Sequence, residues 1–438
     1  MNNKEILIIS YQFPPDTGSI QRVINIVKYL PEYGYKITIL THNSNDYESC
    51  IIDKKYDESG IKVVRTKSIL RYLKLNKQVK KNQDRKIDNK ISLNRTNKVL
   101  CRKLKKVFKY IINFFIWPDN KVFWIFIAFF SSLNLIKRNN INIVYIVTPP
   151  HSSSIIGYFL KKIKKIKLIL DFRDPWANDV DLFVPSPFHK KCHEFAESRI
   201  INASNLVITT TEYHTDYFIG KISGIKTPKI FTISNGIDLD IVPKYLNIEV
   251  TDFTITYVGN FDSTRNPFSF FKALSKVIKN HPHILGKNSV RFFGRYNTSI
   301  EENIKQFELN DIVLQYGYID YLETFEETSK SALLLLIIHN DFNTPKYSIP
   351  AKLYEYIAVG RPILAITPEG AASKIINDYK LGWCFDHSDI KGIEEKIIEC
   401  YNNFISSNLN ITPLDSNCLN QYDRKILVRK LATILDNL

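Results

Sequence analysis

Short aliphatic runs alternate with helix-patterned segments along almost the whole chain, and this alternation limits the possible folds more than any other feature. Aliphatic runs of this kind are typical of strands buried on both faces of a parallel sheet, with helices as the crossovers. The sequence therefore predicts an α/β protein with two doubly wound, Rossmann-like parallel sheets. The runs begin near Ile6, Ile37, Ile143, Leu168 and Leu206 in the first half, and near Thr254, Val290, Ile312, Leu333 and Ile363 in the second.

The length of 438 residues suits two such domains. We expect an N-terminal domain over 1–240 with a basic and aromatic insert at 61–130, and a C-terminal domain over 253–415. Residues 240–252 form the linker, and residues 416–438 are expected to form a helix that packs back on the N-terminal domain. Ligands of doubly wound sheets bind beside the carboxyl ends of the strands, so we expect the two domains to face each other across a ligand-binding cleft.

The net charge of +16 is concentrated in one segment. Residues 61–110 hold 18 Lys and Arg against two acidic residues, so the rest of the chain is nearly neutral. Two apolar, aromatic-rich runs follow at 107–117 and 122–130, and each is shorter than the roughly 20 residues that span a bilayer. We expect this region to lie on an anionic membrane surface. The alternative is a basic loop followed by two buried helices of the first domain.

Other features limit the class of protein. The low aromatic content of the basic segment before Phe108 argues against nucleic-acid binding. The six cysteines include no Cys-x-x-Cys pair, which indicates neither a disulfide framework nor a zinc site. The first aliphatic run, Ile6–Ile9, is too short for the core of a signal peptide. We therefore expect a cytoplasmic protein with reduced thiols, peripheral on the inner face of the cell membrane.

The segment 348–366 has the pattern of a helix with a start signal and a stop signal, followed by a buried strand. Ser348 can cap this helix, Pro350 suits its first turn, and Gly360 suits its end. Free backbone N–H groups at a helix start bind phosphate, and Glu355 stands where it can accept hydrogen bonds from a pair of sugar hydroxyls. The alternative is an amphipathic helix with a solvated glutamate. The segment indicates half of a nucleotide-sugar site.

The loop after the first strand offers a second phosphate-binding element. Gly18 and Ser19 form a tight strand-to-helix loop before a helix that contains Arg22. The loop lacks the Gly-x-Gly-x-x-Gly dinucleotide fingerprint, which makes an NAD-dependent enzyme unlikely on sequence grounds.

Several motifs, in a fixed order over nearly the whole chain, together resemble retaining glycosyltransferase family 4. The resemblance implies the GT-B fold and looks most like bacterial members that build capsule, lipopolysaccharide or exopolysaccharide. It also implies retention of configuration, with the leaving phosphate taking the acceptor proton. The matching motifs are Phe13-Pro14-Pro15-Asp16 with Gly18, Ser19 and Arg22; Thr148-Pro149-Pro150-His151; Asp171-Phe172-Arg173-Asp174-Pro175-Trp176; Ser234-Asn235-Gly236-Ile237-Asp238; Tyr257-Val258-Gly259; and Pro350-Ala351-Lys352-Leu353-Tyr354-Glu355-Tyr356 with Gly360-Arg361-Pro362.

The chain departs from the family pattern at two places. The family has two glutamates eight positions apart, and the first would fall at 347, where this chain has Tyr347. Only the second glutamate is matched, by Glu355. The family also has an Arg and a Lys that hold the donor diphosphate after the first strand of the second domain. Arg265 is the cation that remains in this loop, and we expect it to take the phosphate role.

The resemblance and the chemistry of glycosyl transfer together give a candidate site, because negative charge develops on the departing diphosphate and needs donors aimed at it. The expected catalytic residues are Arg265, Glu355, His151 and Asp174. The expected donor-binding residues are Gly18, Ser19, Arg173, Gly259, Arg265, Arg295, Ser348, Ile349, Pro350, Ala351, Lys352 and Glu355.

Alternatives remain open for several of these residues. His151 either orients a sugar hydroxyl or is a capping or solvent-facing side chain. Asp174 and Arg173 either contact substrate or form a structural ion pair that holds the loop after the strand. His189 and His193 are spaced for a metal but lack a third ligand, so we expect no metal and no cofactor.

The sequence thus predicts a hexosyl- or N-acetylhexosaminyl-transferase that moves a sugar from a nucleoside diphosphate donor to a lipid-linked or polysaccharide acceptor. One rival is a nucleotide-sugar 2-epimerase of similar fold, which would need no membrane surface. A second rival is a non-catalytic donor-binding assembly partner, suggested by Tyr347 and by the missing phosphate cations.

Overall fold

The computed structural model describes residues 4–15, 20–43, 53–67, 114, 116–179, 182–222, 228–242, 248–261, 266–296, 298–339, 349–406 and 416–438. The chain divides into two units. The first contains Met1–Thr210, His214–Ile233 and Val428–Leu438, and the second contains Thr211–Tyr213 and Ser234–Leu427. Each unit is built on one sheet in which all paired strands are parallel, so the predicted α/β class is confirmed.

The first unit contains a seven-stranded sheet with strand order β3-β2-β1-β4-β5-β6-β7. Because β1 lies next to β4, the chain reverses its direction of travel across the sheet between these two strands, and the loops that follow them lie beside each other. The strands are β1 Glu5–Ile9, β2 Lys36–His42, β3 Lys62–Thr66, β4 Ile143–Thr148, β5 Lys167–Phe172, β6 Leu206–Thr209 and β7 Lys229–Thr232.

The helices of this part of the chain each bury one face. In α2, Trp124, Ala128 and Leu135 lie four and seven residues apart, which is the spacing of a single helical face, and all three join the core around β1, β4 and β5. The helices are α1 Gln21–Tyr29, α2 Val122–Asn139, α3 Ser152–Ile163, α4 Pro187–Ala203 and α5 Glu212–Ile219, with short 3₁₀ turns at Leu30–Tyr33 and Trp176–Asn178.

The predicted insert at 61–130 includes residues that the structure describes and residues that it does not. Residues 62–66 form the core-paired strand β3 and residues 122–130 begin α2, so these parts belong to the unit itself. Residues 68–113, which hold most of the basic segment, lie outside the described residues. Among the residues that the structure describes, no helix is both long and apolar enough to cross a membrane.

The second unit contains a six-stranded sheet with strand order β10-β9-β8-β11-β12-β13. Here the change of direction lies between β8 and β11. The elements are β8 Ile255–Val258, α6 Phe268–Asn280, β9 Val290–Phe293, α7 Thr298–Gln306, β10 Val313–Gly317, α8 Tyr321–Ser329, β11 Leu333–Ile337, α9 Ala351–Val359, β12 Ile363–Ile366, α10 Ala371–Asp378, β13 Gly382–Phe385, α11 Ile390–Ile405 and α12 Ser416–Tyr422.

The C-terminal segment differs from its prediction. Residues 416–438 form two helices instead of one, α12 and α13 Arg424–Asp436. The chain leaves the helical path at Asp423 because the backbone there pairs with Ile237, whose N–H donates to Tyr422 and whose carbonyl accepts from Arg424. The end of α13 belongs to the first unit, where Asp436 accepts hydrogen bonds from Lys4 and from the Tyr35 hydroxyl.

The backbone approach at Gly382 gives a testable consequence for stability. A Cβ atom at this position would lie 1.9 Å from the Ile363 carbonyl oxygen in the neighbouring strand β12. We expect Gly382→Ala to lower the free energy of unfolding by about 1–3 kcal/mol, as measured by urea denaturation, because β12 must move to admit the methyl group. Gly286→Ala is the control, since a Cβ there would meet no atom within 4 Å. Equal stability of the two variants would contradict this account of β13.

Candidate functional site

Helix α9 is held at the carboxyl edge of the second sheet by one buried side chain. The Tyr356 hydroxyl accepts a hydrogen bond from the Val258 N–H at 3.1 Å and donates to the Leu335 carbonyl at 3.2 Å. These two residues lie in β8 and β11, the strands between which the sheet changes direction. The start of α9 is therefore fixed beside the loop that follows β8.

The ends of α9 largely follow the prediction. Gly360 ends the helix with a positive φ of 75°, and Leu353 and Ile357 are buried. Pro350 is the N-cap residue instead of a first-turn residue, because its extended backbone precedes the first helical position at Ala351. Ser348 and Tyr347 lie outside the described residues, so the capping by Ser348 stays a prediction.

Two glycines bring the loops after β8 and β9 close to the first turn of α9. Gly259 and Gly294 have positive φ angles of 137° and 140°. A Cβ on Gly259 would lie 2.5 Å from the Lys352 ammonium nitrogen, and a Cβ on Gly294 would lie 2.2 Å from the Gly259 carbonyl. Arg295 joins this arrangement through its backbone N–H, which donates to the Asn260 side chain at 3.0 Å. Side chains at either glycine would push these segments apart.

Lys352 places a positive charge at this edge of the sheet. Its ammonium nitrogen lies 3.7 Å from the centre of the Tyr257 ring, close enough for a cation–π interaction. The guanidinium of Arg295 is exposed on the neighbouring loop. The structure thus brings together Gly259, Arg295, Lys352 and Glu355 from the predicted donor set. Arg265 lies outside the described residues, and its phosphate role stays a prediction.

Glu355 lies on the next turn of α9 among polar side chains. Burial raises the pKa of its carboxyl group to about 7, and the charges of Lys352 and Arg424 oppose that rise. Burial and the Glu355 charge also raise the pKa of the nearby Tyr321 hydroxyl, which Arg424 counteracts. A simply solvated glutamate, the alternative interpretation, is not what the structure shows.

Arg424 is a neighbour of Glu355 that no sequence pattern marks. Arg424 reaches this position because its Nε donates to the Gly236 carbonyl at 2.7 Å, and a Cβ on Gly236 would lie 2.2 Å from the Tyr422 carbonyl. Gly236 belongs to the motif Ser234-Asn235-Gly236-Ile237-Asp238. Its contact with Tyr422, however, is not visible in any local pattern. Asp238 of the same motif caps the 3₁₀ turn Leu239–Ile241.

In the first unit, His151 lies at the start of α3, directly after β4. It is buried, and its Nε2 lies 2.7 Å from Asp179 Oδ2. Its ring stacks on that of Trp176 with a centroid distance of 5.7 Å and an interplanar angle of 1°. The side chain makes no capping hydrogen bond. The capping and solvent-facing alternatives are therefore both wrong, and Asp179 is a partner that the sequence did not reveal.

The buried Trp176 is oriented by His193. The Trp176 indole donates to His193 Nδ1 at 3.0 Å. Burial lowers the His193 pKa to about 4, so the ring is neutral near pH 7 and can accept this bond. His189 instead contacts Ser186 and the Phe114 carbonyl. In the described part of the chain, no group of three or more His, Cys, Asp or Glu side chains is arranged to hold a metal.

Glu197 also anchors the loop between Arg173 and Asn178. Glu197 is fully buried, accepts a hydrogen bond from the Ala177 N–H at 3.2 Å, and pairs with the Lys221 ammonium at 2.5 Å. The loop that carries Trp176 is thus tied to α4. Glu197 reads in the sequence as an ordinary helix residue, and no motif marks this role.

Asp171 lies at the end of β5 and forms an ion pair with Arg22. It accepts hydrogen bonds from Arg22 Nε and from the Tyr145 hydroxyl, both at 2.7 Å. Arg22 also donates to the Ile233 carbonyl. Burial lowers the pKa of the neighbouring Arg173, and the charges of Asp174, Asp171 and Asp179 oppose this lowering. The ion pair that anchors this strand end is therefore Arg22–Asp171, with Arg173 and Asp174 beside it.

Removal of the Asp171 charge should be costly because Arg22 would stay buried without its anion. We expect Asp171→Asn to lower the free energy of unfolding by about 3–5 kcal/mol in chemical denaturation. Glu5→Gln is the matched control in the same unit, since its partner Lys36 lies 3.7 Å away with 80% of its side chain exposed. That change should cost about 1 kcal/mol or less. Similar losses for both variants would contradict the assigned role of the buried pair.

Comparison with known proteins gives a family-model match for part of the chain and a fold for nearly all of it. Residues 240–409 match the family model described as glycosyl transferases group 1. No curated protein sequence matches the chain.

Solved structures align over nearly the full length. Sucrose-phosphate synthase from Thermosynechococcus elongatus aligns with a TM-score of 0.68 and 12% identity, over 99% of this chain and 98% of that chain. TarM aligns with a TM-score of 0.64 and 14% identity, over 99% of both chains. The lipopolysaccharide outer core galactosyltransferase WaaB aligns with a TM-score of 0.59 and 13% identity, over 99% of this chain and 100% of that chain.

At such identities the structural likeness establishes the fold alone, while the family model covers the unit that carries Lys352 and Glu355. The predicted GT-B fold is confirmed. This chain therefore has the GT-B fold, and its residues 240–409 match the family model described as glycosyl transferases group 1.

Proposed function

We propose that this protein is a retaining, family 4-type glycosyltransferase that moves a hexosyl or N-acetylhexosaminyl group from a nucleoside diphosphate sugar to a lipid-linked or polysaccharide acceptor. The observation that carries the proposal is the meeting of Lys352, Glu355 and the glycine loops at one edge of the group 1 domain. Its proposed role is cell-surface polysaccharide biosynthesis, at a cytoplasmic and membrane-peripheral location.

The diphosphate of the donor is proposed to bind at the start of α9. Backbone N–H groups there, those of Ile349 and Ala351, carry the partial positive charge of a helix N-terminus. Lys352 adds a full positive charge, and Gly259 leaves room for phosphate oxygens to approach it. Arg265 and Arg295, on loops after β8 and β9, are the further candidate cations. Together these groups supply the charge that neutralises a departing diphosphate, so the proposed reaction needs no metal ion.

Glu355 is proposed to hold the ribose. It lies one turn beyond Lys352 on the same helix, which is a suitable separation between a diphosphate and the adjoining sugar hydroxyls. A carboxylate can accept a hydrogen bond from each of two neighbouring hydroxyls. Arg424 supports the ionised form of Glu355 from the other side. The proposed domain 1–240 is assigned to the acceptor, and residues 253–415 are assigned to the donor.

His151 is the proposed acceptor-side or sugar-orienting residue. Its Nε2 is engaged by Asp179, so Nδ1 remains available to accept a hydrogen bond. That Nδ1 is buried and has no hydrogen-bond partner among the described residues. Buried polar atoms are seldom left without a partner, so a sugar hydroxyl is a suitable ligand for it. Arg173, Asp174, Gly18 and Ser19 complete the proposed set, with Gly18 and Ser19 outside the described residues.

A panel of nucleotide sugars distinguishes this proposal from its two rivals. A transferase should release nucleoside diphosphate from one donor, slowly with water as acceptor and faster with the correct acceptor. A 2-epimerase would instead invert the sugar at C2, and an assembly partner would bind a donor without changing it. The match of residues 240–409 to a glycosyltransferase model favours the first outcome. Absence of nucleoside diphosphate release from every donor would overturn the proposal.

The role of Lys352 can be tested by removing its charge. We expect Lys352→Met to lower kcat for nucleoside diphosphate release by on the order of 10²-fold, because the leaving diphosphate loses a cation. Lys374→Met is the control, since Lys374 is exposed and pairs with Asp378 on the same unit. That variant should retain wild-type turnover. If Lys352→Met kept half of the wild-type kcat, the phosphate role would pass to Arg265 or Arg295.

The raised pKa of Glu355 predicts a pH dependence of donor binding. With a pKa of about 7, the carboxyl group is mostly protonated at pH 6 and mostly ionised at pH 8. Because the ionised form accepts hydrogen bonds from both ribose hydroxyls, the donor Kd should fall about tenfold between these pH values. Calorimetric titration of the donor at each pH measures this change.

Glu355→Gln provides the control for this pH dependence. Its donor affinity should be flat with pH and, at pH 8, weaker than that of the wild type by roughly 10–150-fold, which corresponds to about 1.5–3 kcal/mol. A wild-type Kd that does not change from pH 6 to pH 8 would contradict the ribose role of the Glu355 carboxylate.

A further inference from the structure

Three helices of the first unit lie side by side. Helix α2 packs against α3, and α3 packs against α4. Their inward residues all belong to one core cluster, to which α2 contributes Trp124, α3 contributes Leu160, and α4 contributes Ile200. The opposite faces of these helices therefore point away from the core.

The outward stripe of α2 is aromatic. Phe123, Phe126 and Phe130 are spaced by three and four residues, which places them on one side of the helix, opposite Trp124 and Ala128. Phe126 and Phe130 are 65% and 66% exposed. Exposed phenylalanines with this helical spacing form a stripe that no described part of the chain covers.

The outward stripes of α3 and α4 continue this surface. Phe159 and Ile163 lie one turn apart on α3 and are both exposed. Phe188 and Phe195 lie two turns apart on α4, with exposed fractions of 71% and 66%. Arg199 lies one turn beyond Phe195, with its guanidinium 5.6 Å from the ring centre. Adjacent helices thus present large apolar side chains together with cations.

The charge of this surface is positive. Helices α2 and α3 contain no Asp or Glu. In α4, Glu197 is buried against Lys221, which leaves Glu194 as the other acidic side chain of that helix. Lys161 donates its ammonium hydrogens to the Ile166 carbonyl and to the Asn205 side chain. The other basic residues of the three helices are Lys137, Arg138, Lys162, Lys190, Lys191 and Arg199.

We propose that the outer face of α2, α3 and α4 docks onto an anionic phospholipid bilayer, and we call it the docking face. Exposed phenylalanines insert at the boundary of headgroups and acyl chains, while neighbouring Lys and Arg bind anionic headgroups. A second copy of the chain is a poorer occupant, because it would bring one basic face against another. The docking face contains no residue of the basic segment 61–110. Its helices α3 and α4 also lie outside 61–130, the region for which the sequence predicts membrane contact.

The proposed docking rests on the proposed function in one respect: a lipid-linked acceptor lies in the membrane, so an enzyme that uses it gains from being held there. Binding to lipid is nevertheless measurable without turnover. Failure of the docking face and failure of the glycosyltransferase proposal are therefore separable outcomes.

The test is co-sedimentation of the full chain with phosphatidylcholine vesicles that contain or lack phosphatidylglycerol. We expect binding to the anionic vesicles, partly reversed by salt, and little binding to the neutral ones. The combined variant Phe126→Ser, Phe130→Ser and Phe195→Ser should raise the lipid concentration needed for half-maximal binding by about tenfold or more. Lys162→Gln with Lys190→Gln and Lys191→Gln should weaken binding to anionic vesicles and reduce its salt dependence.

The matched control removes exposed apolar side chains from the second unit. Tyr318→Ser with Leu322→Ser should bind vesicles as the wild type does, since both residues are exposed but lie outside the docking face. Circular dichroism of each variant checks that it is folded. Donor hydrolysis in the absence of vesicles should be unchanged in the Phe variant, which separates docking from catalysis.

Several outcomes would overturn the docking face. They are equal binding to both vesicle types, absence of binding, and wild-type binding by the Phe variant. A dimer in solution that the Phe substitutions dissociate would make the surface an interface between copies of this chain. Vesicle binding without nucleoside diphosphate release from any donor would leave the docking face standing while the proposed function fails.

Discussion

The hydroxyl of Tyr356 is the interaction on which the candidate donor site depends. It bridges the Val258 N–H and the Leu335 carbonyl, so α9 is attached to both strands at the centre of the second sheet. Lys352 lies one turn before Tyr356 and Glu355 directly precedes it. The position of both charged groups follows from this bridge, because a helix fixed at one buried residue carries its neighbours with it. The glycines after β8 and β9 then allow the adjoining loops to approach Lys352.

The two units use buried charge in different ways. In the first unit, Asp171 Oδ2 accepts hydrogen bonds from Arg22 and Tyr145, and His151 is paired with Asp179 and stacked on Trp176. These pairs hold strand ends and loops in place. In the second unit, the Glu355 carboxyl is partly buried with its pKa raised to about 7, near neutral pH. A carboxyl group whose pKa is shifted in this way is typical of a functional site.

Central strands of the fold were predictable from the sequence, whereas three of the four edge strands, all but β10, were not. Strands such as Ile143–Thr148 and Leu333–Ile337 are buried on both faces and read as aliphatic runs. The missed strands β3, β7 and β13 are edge strands, and their sequences mix charged, aromatic and polar residues because neighbours cover them only partly. In the site, Glu355 and Lys352 were found because helix signals are local. Arg424, Asp179 and Glu197 were missed because their contacts join residues distant in sequence.

The central claim is that Lys352 binds diphosphate and Glu355 binds ribose on one helix. The most direct test is calorimetric titration of two ligands, inorganic pyrophosphate and the nucleoside diphosphate of the preferred donor, into the wild type, Lys352→Met and Glu355→Gln at pH 8. The account predicts that Lys352→Met weakens both ligands, whereas Glu355→Gln weakens the nucleoside diphosphate and leaves pyrophosphate unchanged. Equal weakening of both ligands by the two variants, or no effect of either, would contradict it.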